Sequence, residues 1–164
     1  HSQEALTLEP FDSYPAEQLL EPLHNGDNAR RGYGFDLFRR TNGRCNACAY
    51  CGVSFVHDYY RWLLLHTDHV IPKAQGKNLG IPDQWLDSMA NRVLCCSACN
   101  TFDNHFKLNQ LDPPPQPPET LEQFLELRDR VFACRRERIL RRHKEEAEFF
   151  VQNWWIHGPG PAAG

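Results

Sequence analysis

The chain has 164 residues, 41% of them hydrophobic and 24% charged, with a formal net charge of −3. That balance predicts a soluble globular protein of one compact domain, or one domain with an appended arm. It excludes a membrane span, because apolar runs such as Trp62 to Leu65 are far too short. It also excludes a generically basic polyanion binder: nucleic acid would have to be met by a local patch or a metal.

Residues 1–38 carry two basic and seven acidic side chains. No basic, apolar leader opens them, so no retained secretory signal is expected. Pro10, Pro15 and Pro22 punctuate a short helical stretch around Ala16 to Leu20. Gly32 and Gly34 loosen the approach to Phe35-Asp36-Leu37-Phe38, and residues 3–38 read as an N-terminal packing arm.

Residues 39–111 form the chemical core. They carry eight basic against five acidic side chains, the one net-positive stretch, and six of the seven cysteines. Within them, Tyr60 to Thr67 predicts a strand ending at Asp68-His69, and Gln75 to Ser88 a polar connection with a helical turn at Pro82 to Leu86. Arg92 to Cys95 predicts a second strand, followed by helical character from Ser97 to Leu108.

The proline-rich segment 112–119 can be neither helix nor central strand and reads as a stiff linker. Residues 120–156 predict one long helix or a helical hairpin, stopped by His157-Gly158-Pro159-Gly160, with 157–164 a disordered tail.

The cysteines fall as Cys45, Cys48, Cys51, then Cys95, Cys96, Cys99, with Cys134 alone. An odd count in two C-x2-C groups argues against a secreted disulfide framework. It argues for tetrahedral zinc in a reducing, cytoplasmic compartment, because each short turn can aim two thiolates at one ion. Gly52 follows Cys51, where a knuckle favours positive φ, and only Cys96 to Cys99 has the two-residue gap in the second group. Cys48, Cys51, Cys96 and Cys99 are therefore the expected ligands. Cys45 and Cys95 are then spare, and Cys134 reads as a helix-face core residue. Four thiolates leave no open position, so this zinc is structural.

The run Cys48-x2-Cys51-Gly52, Thr67-Asp68-His69-Val70-Ile71-Pro72, then Asn91-Arg92-Val93-Leu94-Cys95-Cys96-x2-Cys99-Asn100 resembles the HNH endonuclease family over about residues 45–107. The resemblance implies an α+β chain with a ββα-metal core and hydrolysis of DNA phosphodiesters. It makes His69 the general base, its imidazole titrating close to neutrality. Asp68 points the opposite way along an extended strand, free for a different task. By resemblance it shares a Mg²⁺ or Mn²⁺ ion with Asn100, while Asn91 pins the loop that orients His69. Asparagine stands at position 100 where the family often has histidine, which favours those hard cations. Asn104 and His105, one turn on, could replace or supplement Asn100.

The implied partner is DNA, double-stranded, with a homodimer or two visits required for a double-strand break. Candidate phosphate contacts are Lys73, Lys77, Arg92 and Lys107 in the core. A stripe of Arg128, Arg135 and Arg142 adds Arg135 and Arg142 from the long helix. The plainer reading of that stripe is solvated arginines paired with Glu122, Glu145 and Glu146, their stems covering the helix seam. His24, His143 and His157 have no ligand spacing, His57 and His66 flank the strands as core or surface, and Trp62, Trp85 and Phe102 read as core. A non-catalytic zinc-ribbon binding module is the competing function. It has no need of Asp68, His69 and Asn100.

Overall fold

Strands β1 (Leu65–His69) and β2 (Arg92–Cys96) pair antiparallel, with Leu65 opposite Cys96 and His69 opposite Arg92. The computed structural model describes residues 10–155. Around this two-stranded sheet are helices α1 (Tyr33–Arg40), α2 (Tyr59–Leu63), α3 (Lys73–Leu79), α4 (Asp83–Leu86), α5 (Ser97–Phe102) and the long α6 (Leu121–Asn153). The chain is α+β. Among the described residues no helix is long and apolar enough to cross a membrane.

Val93, Leu94 and Cys95 are all buried, so both faces of β2 are covered, with α1 and α5 packed against the strands. Gly34 permits the close approach of α1: a Cβ there would lie 2.6 Å from the Leu65 side chain. Within α1, Asp36 is buried and tied to Arg39, Arg40 and the His24 amide. Helix α1 runs across the 38/39 boundary drawn from charge, where the glycines suggested looser chain.

Two further elements differ from the sequence reading. Tyr59–Leu63 is helical rather than strand because Asp58 caps it, its carboxylate accepting from the Arg61 amide at 2.8 Å. Strand begins only at Leu65. The connection after Pro72 contains α3, which Pro72 opens and Gly80, at φ +92°, closes. A Cβ on Gly76 would meet Leu86 at 2.5 Å, so that glycine lets α3 and α4 touch. Helical character after Ser97 ends at Phe102, with a separate 3₁₀ turn at Leu108–Gln110.

The region after Leu121 is one helix, not a hairpin. Thr120 caps it through Oγ1, which accepts from the Gln123 amide at 3.2 Å. Its buried face is Phe124, Leu127, Arg128, Val131, Phe132, Arg135 and Ile139, spaced three and four apart. Phe132 stacks on Tyr50 and meets Phe11 edge-on, joining the N-terminal segment, the first knuckle and α6 in one core. Beyond Ile139 no described residue of α6 is fully buried. The 112–119 segment has no regular structure. The expected tail at 157–164 lies outside the described residues.

Candidate metal centre

The four sulfurs of Cys48, Cys51, Cys96 and Cys99 all lie within 4.8 Å of one another. Cys51 Sγ and Cys96 Sγ are 3.8 Å apart. Metal–sulfur bonds of about 2.3 Å in a tetrahedron require S···S edges of about 3.8 Å, so the set fits zinc. The two halves are built alike. The Cys51 amide donates to Cys48 Sγ, and the Cys99 amide to Cys96 Sγ, each at 3.5 Å. Gly52 has the expected positive φ of 81°, but its amide donates to the Cys48 carbonyl rather than to a thiolate. The first knuckle is fastened to the sheet where the Ala49 amide donates to Leu94 O at 2.9 Å.

Cys96 opens α5 and Cys99 lies one turn into it. Cys95 is the preceding residue on β2 and so faces the other side of the strand. Burial pushes the Cys95 thiol up, as suits an unligated core cysteine. Within the cluster, hydrogen bonding from Cys51 lowers Cys48 to about 6, and Cys48 lowers Cys96 in turn. The same contacts raise Cys51 and Cys99. Four thiols this close cannot all ionise unless a cation offsets their charge. Cys134 packs at the edge of the core from α6.

The turn after His69 lies at the other end of the sheet, where His69 faces Arg92. Asn91 is fully buried; its Oδ1 accepts from the Ile71 amide at 2.9 Å, and its Nδ2 donates to Ile71 O and Leu86 O, both at 3.0 Å. The turn after His69 is thereby held in place. His69 Nε2 is buried without a hydrogen bond, 3.6 Å from Asp87 Oδ1, which leaves Nδ1 as the nitrogen for an external partner. Burial, and next the Arg92 charge, push the His69 pKa below its ordinary value; Asp68 and Asp87 pull the other way. Asp87, absent from the sequence reading, also receives Lys73 Nζ at 2.7 Å on its second oxygen.

No protein family, curated protein or solved structure matched this chain in comparison. The site therefore rests on its own geometry.

Asp68 Oδ2 accepts from Tyr50 Oη at 2.9 Å and pairs with Arg135 Nη2 at 2.8 Å, while Oδ1 accepts no hydrogen bond from the described residues. Burial, then the Asp68 charge, keeps the Tyr50 hydroxyl protonated, so it can only donate here. Asn100 follows Cys99 on α5, half-buried, its side chain making no hydrogen bond with the described residues. Asn104 and His105 lie past the end of α5, exposed in a turn, so they do not share a helix face with Asn100.

The expected phosphate contacts divide. Arg135 is only 3% exposed and donates to His69 O and Val70 O at 2.8 and 2.9 Å, besides pairing with Asp68 and Asp103. That corrects its placement on a nucleic-acid-facing stripe: the nearby carboxylates and carbonyls offset the cost of burying its charge. Arg128 is buried as well, over the Phe11 ring. Arg142 is exposed and pairs with Glu145 and Glu146, matching the plainer reading of the stripe. Lys73 pairs with Asp87, which adjoins His69, and Lys77 pairs with Asp83. Arg92 lies half-buried with its guanidinium over Tyr33, and Lys107 is exposed. His143, a histidine without ligand spacing, reaches within 3.0 Å of Cys99 Sγ.

Proposed function

We propose that this chain is a metal-dependent DNA endonuclease of the HNH type, with His69 as general base. The observation that carries the reading is the clamp by Asn91. Its amide spans three backbone groups and holds the turn after His69, which is the positioning task the resemblance gives that asparagine. The sequential order β1, β2, α5, with a four-cysteine centre at the start of α5, supports the same reading.

In this mechanism His69 Nδ1 accepts the proton of the attacking water. Burial and the Arg92 charge keep the ring neutral and ready to do so. Asp68, through its unengaged Oδ1, and Asn100, through its amide oxygen, are suitable hard donors for Mg²⁺ or Mn²⁺. The bound cation would offset charge on the phosphate and on the departing 3′ oxygen. Arg135 and Tyr50 hold Asp68 from the far side, fixing its carboxylate plane.

The test is incubation with supercoiled plasmid in Mg²⁺ or Mn²⁺, followed on a gel. Relaxed or linear product that disappears with chelator and in His69→Ala, at unchanged zinc content, supports the reading. Full activity in His69→Ala, or none in wild type with either metal, overturns it.

One observation favours a second reading. The Asp68–Arg135 pair already neutralises the carboxylate, as a structural aspartate in a non-catalytic zinc-ribbon binding module would require. That module would bind DNA or protein and leave plasmid intact.

A further inference from the structure

His143 lies 44 residues from Cys99 in sequence and its Nε2 is 3.0 Å from the Cys99 sulfur. Its ring nitrogens do not belong to the set of mutually close donors, which among the described residues is the four sulfurs alone. His143 is thus a neighbour of the centre and not a fifth ligand. The ring is fixed from a second side by Phe102, edge-on with centroids 4.8 Å apart. Phe102 sits three residues after Cys99, so both lie on the side of α5 that α6 approaches. His143 is also the one residue of α6 beyond Ile139 that is not exposed.

Once a metal is bound, Cys99 is a thiolate and can only accept. The short contact is then favourable only with a proton on Nε2. From this we infer that His143 Nε2–H donates to the metal-bound Cys99 thiolate, making it a positioning residue of the four-cysteine centre and coupling metal retention to docking of α6. The inference rests on reading the four cysteines as a metal centre. Outer partners of this kind orient a ligand and temper its charge, and losing one typically weakens metal binding by about 10- to 100-fold.

The experiment uses the full chain loaded with Zn²⁺ or Co²⁺. Metal content of the wild type tests the centre itself: a folded protein that holds no zinc or cobalt overturns both the centre and this inference. Competition against a chromophoric chelator then compares wild type, His143→Ala, His143→Gln and Lys144→Ala, an exposed neighbour serving as control. We expect His143→Ala to bind zinc about 10- to 100-fold more weakly, His143→Gln to recover part of that loss through its amide donor, and Lys144→Ala to match wild type. In the Co²⁺ protein, the thiolate charge-transfer band should shift in His143→Ala while keeping four-sulfur intensity. Intensity falling to that of three sulfurs and one nitrogen in the wild type would make His143 a ligand and overturn the inference. Equal affinity and equal spectra in His143→Ala and wild type would overturn it too.

Discussion

Arg135 and Asp68 meet at 2.8 Å, joining the middle of α6 to the end of β1. The same guanidinium donates to the carbonyls of His69 and Val70 and pairs with Asp103, so one side chain fixes both the carboxylate and the backbone beside it. Removing it leaves Asp68 with Tyr50 alone and buried Asp103 with Arg138 alone, and takes a donor from two carbonyls. Arg135→Ala should therefore lower unfolding stability by about 3–5 kcal/mol, read from the denaturant midpoint. Arg135→Lys keeps the charge without the fork and should recover only part of that. A midpoint unchanged in Arg135→Ala would mean that the pair contributes nothing net.

Zinc stoichiometry should be one per chain. Cys48→Ser should lose the metal and the cooperative unfolding transition, because binding free energy at such a site is folding free energy. Cys45→Ser, outside the cluster, should retain one zinc. Elemental analysis reads both, and zinc lost from Cys45→Ser but kept in Cys48→Ser would reassign the ligands.

Asp36 gives the stability a dependence on acid. Burial alone would raise its pKa, but the His24 amide and the Arg39 and Arg40 guanidiniums outweigh it and hold the carboxyl below its ordinary 3.8. A depressed folded-state value stabilises the fold fully above the unfolded pKa and is lost as pH drops through the folded one. Asp36→Asn should thus cost about 2 kcal/mol at neutral pH. The gap from wild type should shrink as denaturation is repeated at pH values falling through and below 3.8. A gap constant across that range would contradict the assignment.

If DNA is the partner, phosphate contacts must come from exposed cations, which removes Arg135. Lys77 and Lys107 are exposed, and Lys73 is half-buried. Lys77→Ala and Lys107→Ala should each weaken binding similarly on all sequences and reduce the salt slope by about 1 for each phosphate no longer neutralised. Binding titrations at several salt concentrations decide it. Slopes equal to wild type would place the DNA on another face.

The four-cysteine cluster was legible because its information is local: two-residue gaps within each cysteine pair and a glycine after the first. The same holds for β2, whose apolar run is short and bounded. Helix α2 was not legible. Tyr59 and Tyr60 carry strand propensity, yet both are exposed, so the Asp58 cap decides the conformation and ring burial does not. Helix α3 was hidden because Lys73–Leu79 is polar and contains Gly76, whose missing side chain serves contact with Leu86 and costs helix propensity. Arg135 and His143 show the other limit. A helical wheel gives their direction, but not that Asp68, Asp103 and Cys99 wait there from 32 to 67 residues upstream.

The far end of α6 has one more physical consequence. From Lys144 to Asn153, past the contact of His143 with Cys99, the helix runs on for about 15 Å, its flank carrying exposed Phe149, Phe150 and Val151. About ten residues of this kind would scarcely hold a helix alone in water, because initiating the first turn is the costly step. Here that step has been taken upstream, where Phe124 to Ile139 are packed, and each further residue only propagates it. The overhang is a dependent of the buried half. A proline at Glu148 would uncouple the two, melting the turns beyond it while the packed segment up to His143 keeps its hydrogen-bonded register.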